Sequence, residues 1–181
     1  MMERVISRTI TAAVLALLSN ACAAAHAPQP AKPVDAGRFY TGVWAEIGRR
    51  PISLTDGCVA GATRYTSAGH GRVDVRDTCH KGVPSGREEA IGGPGRIIDP
   101  GANAKLRVSY RLFGIFPVDR EYWVLDHADD YSWFISADPN FENLWIYTRD
   151  PKVAPATVKA LVNRARTLGY DVTKLEVPVQ P

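Results

Sequence analysis

Eight short segments of the chain alternate between apolar and polar residues, with the period of two that is typical of half-buried β-strands. In the segment KLRVSYRLF, Leu106, Val108 and Tyr110 stand between charged or polar neighbours. The pattern predicts strands over residues 42–47, 58–66, 72–80, 87–98, 105–113, 120–128, 130–137 and 143–149. The fourth segment contains Gly92-Gly93-Pro94-Gly95, which predicts a bulge or a bend within that strand.

The pattern changes to a helical period near the C-terminus. An apolar stripe predicts an amphipathic helix with Pro155 in its first turn and Gly169 at its end. The stripe comprises Val158, Leu161, Val162, Ala165 and Leu168. A last short strand is predicted over residues 172–177.

The order of these segments favours one architecture. Consecutive strands with short connections are typical of an antiparallel meander. An open sheet would leave two unpaired edges, whereas closure into a barrel removes both. We therefore predict an all-β fold with an eight-stranded antiparallel barrel, whose interior is just wide enough for one small ligand. The pattern alone also permits a β-sandwich.

The N-terminus carries the pattern of a secretory signal peptide, assigned to residues 1–25. Arg4 and Arg8 precede an apolar run over 10–18, which is too short to span a bilayer, and small residues follow it. We therefore exclude this segment from the folded domain and expect the rest of the chain to be exported.

Cys22 is placed like the acylated cysteine of a bacterial lipoprotein, although Ser19 stands where such signals usually carry leucine. The sequence leaves both lipidation of Cys22 and plain cleavage of the signal open. Residues 26–37 contain three prolines and predict a stiff, extended tether. Residues 38–181 then form the folded domain.

Two further cysteines, Cys58 and Cys79, lie at the outer ends of the second and third predicted strands. Cysteine pairs in exported proteins usually form disulfides. If residues 67–70 form the hairpin loop, the two cysteines face each other directly across the strands. A metal site would need more ligands than His70 and His80 add, and no ligand motif such as C-x-x-C or H-E-x-x-H occurs.

Composition and charge narrow the class of protein. The chain has 181 residues, enough after the signal and tether for one domain with a full core. Its formal net charge of +3 is carried by 22 basic and 19 acidic residues. A charge this small and mixed does not indicate a nucleic-acid-binding surface.

The sequence contains no catalytic or cofactor motif. G-x-S-x-G, the P-loop and the dinucleotide fingerprint are all absent, so we expect no catalytic residues and no cofactor. The neighbouring Asp129 and Asp130 could form a paired-carboxylate site, but their position before a strand is typical of a solvated turn.

Three short signatures resemble those of the lipocalin family. They are Gly42-x-Trp44 in the first strand, Asp130-Tyr131 before the seventh, and Arg149 at the end of the eighth. The stretch YWVLDHADDYSWFISADPNFENLWIYTRDP, residues 122–151, is similar to bacterial outer-membrane lipocalins in particular, as is the C-terminal LGYDVTKLEVPVQP. The resemblance covers residues 38–181.

The resemblance implies an up-and-down barrel that is open at one end, with the C-terminal helix packed outside. It also implies that Trp44 closes the floor, next to Gly42, and that Arg149 packs across its ring, where a cation–π contact would stabilise the pair. If Arg149 reaches the floor, alternation turns Trp145 and Tyr147 inward. By the same family analogy, the residues that line the ligand site are Tyr65, Tyr122, Phe134, Trp145 and Tyr147.

We therefore expect a protein that binds, stores or transports a small hydrophobic or amphipathic ligand, such as a fatty acid or a lysophospholipid, in the bacterial cell envelope. The alternative is an enzyme of the same fold that acts on a lipid-like substrate with Asp77 or Asp126 inside the barrel as acid or base. A third reading is a structural protein whose lumen is filled by side chains. We expect a monomer or homodimer that is a periplasm-facing lipoprotein of the outer membrane, or soluble in the periplasm.

Overall fold

The computed structural model describes residues 26–112 and 115–181. The predicted signal peptide and Cys22 lie outside the described residues. The elements are α1 (Ala36–Phe39), β1 (Gly42–Arg49), β2 (Cys58–Gly69), β3 (Arg72–Lys81), β4 (Glu88–Ile97), β5 (Lys105–Leu112), β6 (Phe116–His127), β7 (Trp133–Ala137), β8 (Leu144–Thr148) and α2 (Pro155–Thr167).

The eight strands form a closed antiparallel barrel in which each strand pairs with its neighbours in sequence. The barrel closes through β1 and β8, where Ala45 lies opposite Thr148. The prediction of an up-and-down barrel is confirmed, and the sandwich is excluded. The predicted seventh strand begins three residues late, because residues 128–132 form a turn with Tyr131 at a φ of +58°.

Helix α2 packs on the outside of the barrel, as predicted. Its buried residues Leu161 and Ala165 belong to a core that also contains Ile135, Leu144 and Ile146 from the outer faces of β7 and β8. Among the described residues, no helix is long and apolar enough to cross a bilayer. The last predicted strand, 172–177, is instead a 3-10 turn over Val172–Lys174 followed by an extended tail.

Strand β4 pairs with β3 along its length without a shift in register, so the predicted bulge is not present in that pairing. The glycines have a different role, because the neighbouring strands approach them closely. A Cβ at Gly92 would lie 2.4 Å from the carbonyl oxygen of Val75, and one at Gly93 would lie 2.0 Å from that of Ser109. Any larger residue would push β3 or β5 away.

Cys58 and Cys79 form the predicted disulfide, with their Cα atoms 5.4 Å apart. The register that led to this prediction is wrong, because β2 continues to Gly69 and the connecting turn is tighter than a four-residue loop. Cys58 lies opposite Lys81 rather than Cys79. A shift in register between Val59 and Ala62 accompanies this offset, and the two cysteines remain close enough to bridge.

The N-terminal segment differs from the predicted tether over residues 26–37. Residues 26–35 form neither helix nor strand and lie against the barrel wall instead of away from it, and Ala36 and Gly37 begin α1. The amide of Ala27 donates to Pro139, that of Ala31 to Leu125, and that of Val34 to Ala102, at 2.8–3.0 Å. Ala27 and Val34 are buried, so the apolar residues on either side of the prolines anchor the segment to the domain.

Candidate functional site: a ligand cavity above an aromatic floor

One end of the barrel is closed by a cluster of aromatic rings. Phe39, the last residue of α1, and Tyr40, which follows it, are buried beneath the barrel beside Trp44 of β1. The Phe39 ring lies 5.2 Å from that of Trp44 and 4.8 Å from that of Phe134, measured between centroids. The Tyr40 hydroxyl donates to the carbonyl of Asn103 at 2.8 Å, which attaches the floor to the loop after β4.

Arg149 packs on the outer side of this floor, as the resemblance implied. Its guanidinium carbon lies 3.5 Å from the centroid of the Trp44 ring. The same guanidinium donates to the carbonyls of Thr41 and Val43 at 2.7 and 3.1 Å. Gly42 has a φ of +69°, and a Cβ there would lie 3.3 Å from Arg149 Nη1, so glycine lets the chain turn beneath the guanidinium. These contacts close this end of the barrel to water.

Above the floor the barrel encloses a cavity of about 670 Å³ that opens at the opposite end. Its wall is formed by aromatic and aliphatic side chains together with a smaller set of polar groups. The apolar and aromatic lining residues include Tyr65, Val75, Ile91, Val108, Tyr110, Val118, Tyr122, Trp145 and Tyr147. A lumen filled entirely by side chains, the third reading of the sequence, is therefore excluded.

Asp77 and two tyrosines form a polar cluster on the cavity wall. The Tyr110 hydroxyl donates to Asp77 Oδ2 at 2.6 Å and lies 3.0 Å from the hydroxyl of Tyr122. Burial raises the pKa of Asp77, and the hydrogen bond from Tyr110 only partly offsets this effect. Burial also raises the pKa of both tyrosines, so their hydroxyls stay protonated at neutral pH. The cluster offers hydrogen-bond donors and acceptors to a polar group inside the cavity.

Arg49 and Glu46 form a buried ion pair on the wall contributed by β1. Arg49 Nη1 lies 2.7 Å from Glu46 Oε1, Nη2 donates to the carbonyl of Cys58 at 2.7 Å, and Nε lies 2.6 Å from Glu176 Oε1. Burial raises the pKa of Glu46 to about 7, although the nearby Arg49 acts in the opposite direction. The pair therefore depends on close contact to remain ionised.

The C-terminal tail completes this part of the wall. β1 and β2 separate after the pair Ala45 and Ala62, and the tail lies between them. Glu176 exchanges both backbone hydrogen bonds with Arg49, at 2.9 and 3.1 Å, and the carbonyl of Val179 accepts from Ala60 at 2.7 Å. The tail thus joins two strands that no longer pair directly.

Four of the five residues predicted to line the ligand site border the cavity: Tyr65, Tyr122, Trp145 and Tyr147. Phe134 does not border it, because it lies in the floor with its ring 4.7 Å from Trp44. The inward position of Asp77 is also as expected. Asp126 is not, since a register shift after Val124 turns it outward, where Arg164 of α2 donates to it at 2.6 Å.

The paired-carboxylate reading of Asp129 and Asp130 is not supported by their geometry. Asp129 is exposed and forms a 2.5 Å ion pair with Lys32, while Asp130 accepts the amide of Ser132 at 2.9 Å and holds the turn before β7. Sequence reasoning missed Arg49, Glu46 and Tyr110. The alternation in β1 and β5 placed Glu46 and Tyr110 on defined faces, but nothing in the sequence paired them with partners.

Comparisons with known proteins agree with this architecture. Residues 34–180 match the lipocalin-like domain. The chain is 32% identical over 142 residues to temperature-induced lipocalin-1 of Arabidopsis thaliana, covering 75% of this chain and 74% of that protein. It is 25% identical over 175 residues to the outer membrane lipoprotein Blc of Vibrio cholerae, covering 93% of this chain and 96% of that protein.

Solved structures share the fold at low sequence identity. Insecticyanin from the tobacco hornworm Manduca sexta superposes with a TM-score of 0.66 at 20% identity, covering 84% of each chain. A biogenic amine-binding protein superposes with a TM-score of 0.60 at 12% identity, covering 82% of this chain and 83% of that one. The barrel, the Trp44–Arg149 floor and the match over residues 34–180 lead to one conclusion: this chain belongs to the lipocalin family.

Proposed function

We propose that the protein binds and carries a single-chain amphiphile, such as a fatty acid or a lysophospholipid, in the bacterial cell envelope. The observation that supports this proposal is the cavity of about 670 Å³, closed below by the aromatic floor and open above. Ligand pockets commonly have volumes of roughly 300–1,000 Å³ and a mainly apolar lining with a few polar groups. The volume lies in this range, and the lining combines aromatic and aliphatic side chains with a sizeable set of polar and charged groups.

The lining suggests how such a molecule would be held. Each methylene group that leaves water for the cavity contributes about 0.8 kcal/mol, so an acyl chain alone supplies much of the binding energy. A polar head would meet the Asp77–Tyr110–Tyr122 cluster inside the cavity. A polar head that stayed nearer the start of β6 would meet Arg120 instead, which also lines the cavity.

Filling the cavity should weaken ligand binding. Val118 is half-buried, faces the cavity from β6 and lies opposite Tyr110. We expect Val118→Trp to weaken binding of a fluorescent fatty acid, measured by titration, by at least about tenfold, because the indole occupies the volume that the chain needs. Val43→Trp makes the same change at an exposed position on the outer wall and should bind like the wild type. Failure of the wild type to bind any of a broad panel of lipids would contradict the proposal.

A second candidate is an enzyme on the same scaffold that acts on a lipid-like substrate. The observation that favours it is Asp77, whose raised pKa and 2.6 Å contact with Tyr110 suit proton transfer. Mass spectrometry of the bound lipid after long incubation distinguishes the two functions. A carrier returns the lipid unchanged, whereas an enzyme converts it and loses that activity in Asp77→Asn.

We further propose that the protein acts at the outer membrane, attached through acylated Cys22. The similarity to the outer membrane lipoprotein Blc of Vibrio cholerae supports this location. If the anchor is present, Cys22→Ser should lose incorporation of labelled palmitate and leave the outer-membrane fraction, because a stable anchor needs its acyl chains. Wild-type protein that is already free in the periplasm would show that the signal is simply cleaved.

A further inference from the structure

Exposed apolar side chains are concentrated on the loops around the cavity mouth. Ile52 and Leu54 lie between β1 and β2, Val83 lies between β3 and β4, and Ile115 and Phe116 lie at the connection between β5 and β6. The last two are 68% and 59% exposed, and Leu54 is 61% exposed. We refer to these five residues as the apolar rim.

The topology places these loops at one end of the barrel. In an up-and-down barrel, the connections after odd-numbered strands lie at one end and those after even-numbered strands lie at the other. Ile52 and Leu54 border the cavity themselves. The other two loops follow β3 and β5, and these strands border the cavity through Cys79 and Tyr110 near their C-terminal ends. The rim therefore surrounds the opening through which a ligand enters.

The opposite end and the outer wall are different. Eight large apolar residues are exposed in the described ranges 26–112 and 115–181, and five of them form the rim. Two more, Val177 and Val179, lie on the C-terminal tail beside Arg49 and Ala60, next to the rim. Only Val43 lies elsewhere, near the floor, so the apolar surface is specific to the mouth.

The N-terminal segment also begins at the mouth. The amide of Ala27 donates to the carbonyl of Pro139 at 3.0 Å, and Pro139 borders the cavity on the loop between β7 and β8. Because residues 27–34 are attached to the wall, they add no reach to an anchor at Cys22. The five residue steps from Cys22 to Ala27 span at most about 18 Å. A lipid anchor would thus hold the mouth, and not the floor, next to the membrane.

We propose that the apolar rim docks on the surface of a lipid bilayer, with the tips of the loops in the interface and the cavity mouth facing the lipid. This proposal rests on the proposed function as an amphiphile carrier. Apolar side chains are stabilised when they enter the headgroup and acyl boundary. Docking in this orientation lets an amphiphile pass between bilayer and cavity without exposing its chain to water.

The test uses residues 26–181, which lack Cys22, so that no lipid anchor contributes to membrane binding. Cosedimentation with vesicles of phosphatidylethanolamine and phosphatidylglycerol measures its partitioning. We expect Ile115→Ser/Phe116→Ser to lower the partition coefficient by about tenfold or more, because two large apolar side chains are lost from the contact. The control Val43→Ser removes an exposed apolar residue near the floor and should partition unchanged.

Two outcomes would overturn the proposal: a parent chain that does not bind vesicles, or equal losses in the rim and control variants. A change in oligomeric state in the rim variant, seen by analytical ultracentrifugation with vesicle binding unchanged, would assign the rim to a second copy of the chain instead. Ile115 and Phe116 do not border the cavity. The rim variant should therefore bind a fluorescent fatty acid in solution with the same affinity as the parent chain. A parent chain that does not bind the fatty acid would contradict the carrier function, independently of the result with vesicles.

Discussion

Replacing Arg49 with methionine is expected to lower the free energy of unfolding by about 3–5 kcal/mol. Arg49 is 3% exposed, and its guanidinium contacts Glu46, Cys58 and Glu176. Methionine retains much of the side-chain volume but leaves the Glu46 carboxylate buried without its cation. It also removes the side-chain contacts that hold the C-terminal tail on the wall. Urea unfolding followed by tryptophan fluorescence measures the loss.

Two further variants separate the charge from the packing. Arg50→Met changes the neighbouring arginine, whose guanidinium donates to the carbonyl of Glu142 at an exposed position, and should cost less than about 1 kcal/mol. Glu46→Gln/Arg49→Met removes both charges and should recover part of the stability lost in Arg49→Met, since no unpaired carboxylate remains buried. A double variant as unstable as the single one would place the effect in packing instead.

The pH dependence gives an independent check. The pKa of Glu46 is raised from 4.5 to about 7 in the folded protein, so the folded state holds this proton more tightly than the unfolded chain does. The stabilising contribution of this group is therefore complete below about pH 4.5 and is lost as the pH rises through about 7. Without Arg49 the pKa of Glu46 rises further, so Arg49→Met should lose more stability at pH 8 than at pH 5.

The strand order and the outer helix could be predicted because they depend on periodicity, which the sequence displays directly. Bulges interrupt that periodicity, and the sequence does not mark them. A simple alternation in β6 turns Asp126 inward with Tyr122 and Val124, but the register shift after Val124 turns it toward Arg164. The shift between Val59 and Ala62 likewise changed the hairpin register around a correctly predicted disulfide.

The N-terminal segment and the C-terminal tail could not be predicted, because each is placed by single contacts rather than by a repeating pattern. Three prolines made residues 26–37 read as a free tether, yet Ala27 and Val34 are buried against the barrel. Phe39 and Tyr40 are two aromatic residues outside any strand, and only the closed barrel gives them an apolar end to cover. Glu176 depends in the same way on a buried arginine of β1.

Replacing Trp44 with alanine in the wild-type chain is expected to lower the free energy of unfolding by about 3–5 kcal/mol. Trp44 is fully buried and packs between Phe39, Phe134 and the Arg149 guanidinium. Its indole N–H also donates to the carbonyl of Phe39 at 3.3 Å. Alanine would leave a void where Phe39 of α1, Phe134 of β7 and Arg149 meet around one side chain, and these groups can fill it only partly.

Trp145→Ala is the matched control, because it deletes the same side chain from β8 at a position that borders the open cavity and is only half-buried. Its ring contacts Tyr122 at 5.2 Å but is not enclosed on all sides, so its loss extends an existing space rather than creating a new one. In urea unfolding, we expect Trp145→Ala to lower the free energy of unfolding by less than half as much as Trp44→Ala does. Relative to its loss of stability, Trp145→Ala should weaken fatty acid binding more than Trp44→Ala. Equal losses of stability in the two variants would contradict the view that Trp44 in the floor stabilises the barrel more than Trp145 in the cavity wall does.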